Sequence, residues 1–166
     1  GVACLSYAAW VLWLLGYPDQ ALQRSQEALS LAQELSHPFS LAFARNFAAL
    51  LRLYRREGQA AQAQAETLIA LSVEQGFALY CAHGTILRGG ALAVQGQGEA
   101  GMAQMLQGLE VLQATGAVLR RPYYLAVLAE VYGRLQQSRE GLTLLTAALA
   151  VVHKSAERIH EAELYR

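Results

Sequence analysis

Charged residues are scarce in this chain of 166 residues. They make up 16% of the sequence, against roughly a quarter in ordinary globular domains, whereas hydrophobic residues make up 54%. The 13 basic and 13 acidic residues balance, so no general electric field attracts nucleic acid or an anionic membrane. We therefore expect neither of these partners, and we expect part of the apolar surface to be covered by a neighbour.

Cysteine and long apolar runs are also nearly absent. Cys4 and Cys81 are the only cysteines, and without CxxC spacing they match neither a disulfide framework nor a zinc site, which favours a cytoplasmic protein. The run VACLSYAAWVLWLL has 14 residues, where a transmembrane helix needs about 20. It also lacks the positive region that begins a signal peptide. We interpret this run as a buried helix.

Signals for β-strands are weak, because apolar residues recur at intervals of three and four instead of alternating. We predict an all-α protein, and the lack of any long polar linker predicts a single domain, residues 1–166. Prolines stand where helices would begin and glycines where they would end. These are Pro18, Pro38 and Pro122, and Gly16, Gly58, Gly76, Gly96 and Gly116. The predicted helices are Ala3–Leu15, Asp19–Leu35, Phe39–Arg56, Ala60–Gln75, Leu79–Gln95, Glu99–Ala114, Tyr123–Leu135, Arg139–Lys154 and Glu157 onward.

A spaced pattern of small residues runs along the chain. Gly16 is followed by Ala21 and Ala28, at offsets of five and twelve. Three further copies of this spacing are Gly58, Ala63 and Ala70; Gly96, Gly101 and Gly108; and Gln136, Gly141 and Ala148. The copies thus recur with a period of roughly 40 residues, which is typical of stacked helical hairpins. We expect the small residues to let the first helix of each hairpin, A, approach the second, B.

Together with small residues seven positions before the glycine, at Ala9, Gly89 and Ala129, the pattern resembles the tetratricopeptide repeat (TPR). It departs from that repeat in its longer period, in Leu51 at a small position and in Gln136 at a glycine position. The long period resembles helical arrays of large bacterial signalling proteins, both maltose-activator-type regulators and arrays linked to cyclase or ATPase modules. The resemblance implies a right-handed α-solenoid, and we expect the chain to be a fragment of a longer protein. The implied repeats are approximately 1–38, 39–78, 79–117, 118–156 and the start of a fifth at 157–166.

The resemblance also implies that the A helices line a concave face that holds a protein segment. The groove positions, carried over by offset from the glycine, are Ala3, Ser6, Trp10, Trp13 and Leu14; Arg45, Ala48, Arg52, Arg55 and Arg56; His83, Ile86, Gly90, Ala93 and Val94; and Tyr123, Ala126, Glu130, Gly133 and Arg134. The candidate partner-binding residues among them are Trp10, Trp13, Arg45, Arg52, Arg56, His83, Tyr123 and Glu130.

Two clusters in this set allow alternatives. Arg45, Arg52 and Arg56 have helical spacing, so they would meet an acidic or phosphorylated ligand together. Alternatively, Arg55, Arg56 and Glu57 form a solvated helix end, since exposed charges ordinarily pair within the protein. Trp10 and Trp13 are either interface anchors or core residues that pack against helix B or a preceding hairpin.

Motifs for catalysis or cofactor binding are missing. The segment GQGEAG at residues 96–101 contains no phosphate-loop lysine and follows a predicted helix instead of a strand. His153, Glu157, His160 and Glu161 are close in sequence, but a predicted turn interrupts them and no HExxH motif is present. We predict a protein that is not an enzyme, with no catalytic, cofactor-binding or metal-binding residues and no cofactor.

These observations predict a non-catalytic protein–protein interaction module or scaffold within a bacterial signalling or regulatory protein. Its partner would be a protein segment, acidic if the arginines bind it, or another domain of the parent chain. One alternative is a sensor domain for a small-molecule effector. Another is an architectural arm that self-associates through its terminal helices.

Overall fold

The computed structural model describes residues 1–155 and 158–165. The helices in these ranges are α1 (Val2–Leu14), α2 (Pro18–Glu34), α3 (Pro38–Tyr54), α4 (Gly58–Gln75), α5 (Ala78–Val94), α6 (Gly98–Ala114), α7 (Arg121–Arg134), α8 (Ser138–Ser155) and α9 (Glu161–Tyr165). The prediction of an all-α protein is confirmed, and the first eight helices begin and end within two residues of their predicted bounds. Glu157, the predicted start of the ninth helix, lies outside the described residues.

The helices pack as sequential antiparallel pairs. Each of α1 to α8 contacts the helix that follows it in the chain. The odd-numbered helices also contact one another in order, α1 with α3, α3 with α5, and α5 with α7. No comparable contact joins two even-numbered helices in the described part of the chain. The odd helices therefore form one continuous layer, and each even helix packs against it.

Four matching turns connect an odd helix to the even helix that follows it. In the first, the Gly16 N–H donates to the Trp13 carbonyl and the Tyr17 N–H donates to the Leu12 carbonyl. These two bonds are the Schellman arrangement, which needs one residue in the left-handed conformation. The left-handed residues of the four turns are Gly16, Arg56, Gly96 and Gln136, with φ of 84°, 59°, 87° and 62°. Their residue numbers advance by the same amount from each turn to the next.

The second turn corrects the predicted register. Gly58 was expected to end its A helix, but α3 ends at Tyr54, Arg56 takes the left-handed conformation, and Gly58 is the first residue of α4. Glycine is the residue that ordinarily occupies a left-handed position, so the sequence pattern was aligned on Gly58 instead of on Arg56. The second copy shifts by two residues, and equal steps between copies replace the unequal ones of the sequence pattern.

The corrected register changes which residues are the small positions of the second copy. They are Ala61 and Leu68, which are fully buried, so leucine occupies the second of these positions, whereas Ala63 and Ala70 are exposed. The position seven before the turn residue is Ala49, also fully buried, so Leu51 is no longer an exception. The expectation that small residues allow close helix contact is met most clearly between α5 and α6. A Cβ added to Gly89 would lie 2.6 Å from the Gly101 carbonyl oxygen.

The run VACLSYAAWVLWLL was expected to form a buried helix, but α1 is only partly buried. It packs against α2 and α3. Val2, Ser6 and Ala9 are buried, but Tyr7 and Leu14 remain exposed. Nowhere in the described ranges does a helix combine the length and apolarity that a membrane crossing requires.

Candidate functional site

A cleft of about 710 Å³ opens on the layer of odd helices. We call it the odd-helix cleft. Four rings line it, Trp13 from α1, Tyr54 from α3, Tyr123 from α7 and His160 from the segment before α9. The remaining lining residues are the aliphatic Leu14, Leu53, Val94, Ala126, Val127, Ala129, Leu145 and Ile159, and the charged Arg56 and Glu130. The cleft is therefore mainly apolar, with two charged groups.

The corrected register explains why these residues meet. Counted back from each left-handed residue, the groove positions of the second copy are Phe43, Asn46, Leu50, Leu53 and Tyr54. Leu53 and Tyr54 line the cleft, as do Trp13, Leu14, Val94, Tyr123, Ala126 and Glu130 at groove positions of the other copies. The periodicity therefore places the lining residues correctly once the turn residue, and not the glycine, sets the register.

The predicted site residues divide into two groups. Trp13, Arg56, Tyr123 and Glu130 line the odd-helix cleft, and Trp10 is hydrogen-bonded to Tyr54, which also lines it. Arg45, Arg52 and His83 lie outside the cleft lining. Arg52 precedes Tyr54 by two residues, a rotation of roughly 200° around the helix, so it faces a different direction.

The arginines of α3 and of the turn after it have different partners. Arg52 and Arg55 both pair with Glu57, and Arg56 pairs with Glu130 of α7 at 3.1 Å. Burial lowers the pKa of Arg45 below its ordinary value, and its Nε atom has no hydrogen-bond partner. Arg52, Arg55 and Arg56 therefore each pair with a carboxylate within the protein.

One chain of hydrogen bonds connects α1, α3 and the segment before α9. Trp10 Nε1 donates to Tyr54 Oη over 3.3 Å, and Tyr54 Oη lies 3.2 Å from His160 Nε2. Burial, with a smaller contribution from the positive charge of Arg120, lowers the pKa of His160 to about 4. The imidazole is therefore neutral near pH 7, and its ring packs 4.8 Å from that of Tyr123.

A second buried polar group lies beside the cleft, between α3, α5 and α7. His83 Nδ1 is 2.8 Å from Tyr124 Oη. The guanidinium of Arg120 lies 4.6 Å from the centre of the Phe47 ring, and the Asn46 amide oxygen accepts from it when the amide is oriented toward it. Burial, followed by the Arg120 charge, lowers the pKa of His83 to about 3. His83 therefore has a packing role in this structure.

Sequence reasoning missed Tyr54 and Arg120, but one signal for the odd-helix layer was present. The chain has 14 Trp, Tyr and Phe residues, and α2, α4, α6 and α8 contain none of them. All 14 lie on odd-numbered helices or in turns. Such segregation indicates which layer offers large apolar contacts, and it does not depend on the register of the repeat.

The residues His153, Glu157, His160 and Glu161, which are close in sequence, come together only in part. His153 and Glu161 approach each other at 3.8 Å, but His160 is buried against Tyr54 and Tyr123. Glu157 lies outside the described residues. Within the described ranges, no three or more His, Cys, Asp and Glu residues are grouped to hold a metal ion.

Comparison with known proteins finds no protein-family model that matches the chain and no curated protein that matches it. The resemblance to TPR arrays therefore stays a prediction.

Proposed function

We propose that this protein is a non-catalytic interaction module that binds a segment of a partner protein in the odd-helix cleft. The observation that carries the proposal is the cleft itself, about 710 Å³ in volume and lined by rings from three odd helices and by His160. Pockets of about 300–1,000 Å³ with apolar walls and a few polar groups are typical of binding sites. A side chain of a partner segment would be buried there.

The proposal includes a fold more specific than a set of helical pairs. We take the chain to be a right-handed α-solenoid of TPR-like hairpins, of the long-repeat type found in bacterial signalling proteins. The constant spacing between the left-handed turn residues supports this architecture, as does backbone packing of each helix on the next helix and of each odd helix on the next odd helix up to α7. In such an array the odd helices would line the concave face.

The rings of the cleft are held in place by one another, which favours binding. Trp13 stacks on Tyr54 with ring centres 6.0 Å apart, and Tyr54 meets Tyr123 edge to face at 4.9 Å. Aromatic walls that are ordered before binding lose little conformational entropy when a ligand arrives. Burial of an apolar side chain against them would then appear as binding free energy.

Filling the cleft tests this proposal. Ala126 lines the cleft, so A126W places a large side chain in it. Ala103 is exposed on the even helix α6, so A103W is the matched control. We expect peptides selected on the parent protein from a random display library to lose at least about tenfold in affinity with A126W and to bind A103W unchanged. Equal binding to both variants, with both folded by circular dichroism, contradicts the proposal.

A sensor for a small-molecule effector is the second candidate, favoured by the same cleft volume. A small molecule that binds only the folded protein raises its melting temperature in proportion to the logarithm of its concentration. A metabolite panel that produced such a rise in the parent and not in A126W would select this function. The architectural arm instead predicts concentration-dependent self-association, measurable by sedimentation.

A further inference from the structure

The rim of the odd-helix cleft carries more positive than negative charge. Arg56 and Arg134 share the carboxylate of Glu130, at 3.1 and 2.7 Å. Glu57, the residue after Arg56, pairs with Arg52 and Arg55, which lie outside the cleft lining. Two guanidinium groups at the rim thus share one carboxylate, an excess of one positive charge in a chain whose net charge is zero.

One path leads out of the cleft from Arg56. A shallower groove of about 490 Å³ begins at Arg56 and Val94, which both also line the cleft. It continues past Glu57 to Gly58 and Gln95. A peptide that places one side chain in the cleft therefore has a surface for its next residues, and that surface begins at Arg56.

The paired arginines keep the capacity to bind another anion. A guanidinium has five N–H donors, and Arg56 directs two nitrogens to Glu130 while Arg134 directs one to Glu130 and one to the Ala93 carbonyl. The Arg56 and Arg134 side chains are each 53% exposed, so a ligand carboxylate can reach them. The planar fork of arginine suits a carboxylate in particular.

We infer that the partner segment carries an aromatic side chain, which enters the odd-helix cleft, and an acidic side chain beside it, which binds at Arg56 and Arg134. This inference rests on the proposed function, and it adds the chemistry of the partner. The four rings of the lining suit an aromatic anchor, because aromatic pairs at their preferred geometries gain stability beyond simple burial. The charge excess selects an acid over a base next to that anchor.

Defined peptides test the inference on the full chain. The probes are the acetylated and amidated peptides Ala-Glu-Phe-Glu-Ala, its Gln and Lys analogues at both Glu positions, and an analogue with Ala in place of Phe. Binding is read from tryptophan fluorescence, because Trp10 and Trp13 are the only tryptophans and Trp13 lines the cleft. We expect affinity in the order Glu, Gln, Lys, with about threefold between steps, and no binding of the Ala analogue. Phenylacetate tests for a free aromatic acid as the source of the same chemistry.

The sign of one substitution decides the charge preference. E130Q releases both arginines from their carboxylate, so we expect the Glu peptide to bind about threefold tighter and the Lys peptide to bind more weakly. R134A should lower the affinity for the Glu peptide. R139A removes an exposed arginine outside the cleft and should leave that affinity unchanged. Weaker binding of the Glu peptide to E130Q overturns the inference.

The remaining outcomes separate the inference from the proposed function. If the Gln peptide binds as well as the Glu peptide and A126W abolishes both, the acidic preference is wrong and the cleft remains the binding site. If none of the peptides binds, the inference is overturned, and the comparison of A126W with A103W decides separately whether the cleft binds a segment. If phenylacetate binds as tightly as the Glu peptide, the cleft is a small-molecule site and no peptide context is needed.

Discussion

The odd and even helices differ in how their polar side chains bond. On the even helices, side chains pair along their own helix, as Gln23 and Arg24 do with Glu27, or with an adjacent segment, as Gln104 does with Arg88. On the odd helices, polar groups bond across the layer, as Trp10 does with Tyr54 and Arg56 with Glu130. Bonds within one helix do not determine where that helix lies relative to its neighbours, whereas bonds between distant segments do. The odd layer is therefore the part of the molecule whose shape is fixed by tertiary contacts.

The largest effect is expected where an odd helix meets its even partner. G89A places a methyl group 2.6 Å from the Gly101 carbonyl oxygen and 2.9 Å from the Met105 nitrogen, so α5 and α6 must separate. We expect a loss of about 3 kcal/mol or more in the free energy of unfolding, measured in urea. Gly133 has no atom near its added Cβ, so G133A should gain roughly 0.5–1 kcal/mol from helix propensity. Similar effects of the two substitutions would contradict close packing at Gly89.

The buried histidines of the odd layer predict acid sensitivity. Burial lowers the pKa of His83 to about 3 and that of His160 to about 4, so both are neutral in the folded protein. The unfolded chain binds more protons as the pH falls below 6.5, so their stabilising contribution is complete above that pH and is lost toward the folded pKa values. At pH 5 we expect a loss of ~2 kcal/mol for each histidine.

Urea titrations between pH 7 and 4 measure this effect. The double variant H83Q/H160Q should be less stable at pH 7 and should show a flatter dependence of stability on pH. The exposed His153 provides the control, and H153Q should keep the parent slope. If the double variant keeps the parent's dependence of stability on pH, these histidines do not cause the acid sensitivity.

A smaller effect is expected from the hydroxyl that connects α1, α3 and the segment before α9. Y54F removes the group that accepts from Trp10 Nε1 and contacts His160 Nε2. We expect a loss of about 1–2 kcal/mol, because two buried polar groups lose a partner. Tyr17 is 52% exposed, and Y17F should change stability by less than about 0.5 kcal/mol. Equal values for the two variants would show that this connection adds no stability.

The smallest effect is expected on the even helices. Arg24 and Glu27 pair at 2.6 Å on α2, with side chains 48% and 36% exposed. A double-mutant cycle with R24A and E27A should give a coupling of roughly 0.2–0.5 kcal/mol that decreases with added salt. A coupling as large as the effect of Y54F would remove the contrast between the two layers.

The sequence predicted most of the fold because helix length and small-residue contacts are local or periodic properties. Helix bounds were accurate to two residues, and Ala21, Ala28 and Ala148 are buried as expected. The predicted register of the second copy was wrong by two residues. Arg56 takes the left-handed conformation there, and an arginine in the sequence does not indicate that conformation.

The candidate site was predictable in part for the same reason. Trp13, Tyr123 and Glu130 line the cleft as the offsets implied, whereas Tyr54 was missed through the two-residue shift. The contact between Tyr54 and His160 joins residues 106 positions apart. No periodic pattern within one repeat contains information on such a contact, which depends on how successive hairpins rotate.

The constant step between left-handed turn residues has a genetic consequence. Arg56, Gly96 and Gln136 are equally spaced along the chain. An in-frame duplication or deletion of the codons between two equivalent positions would therefore join one helix to the matching position of another, with the same residues facing the same side. By that route the chain would gain or lose one whole pair of helices while the turn geometry stayed the same. Each such event would change which rings face one another across the odd-helix cleft.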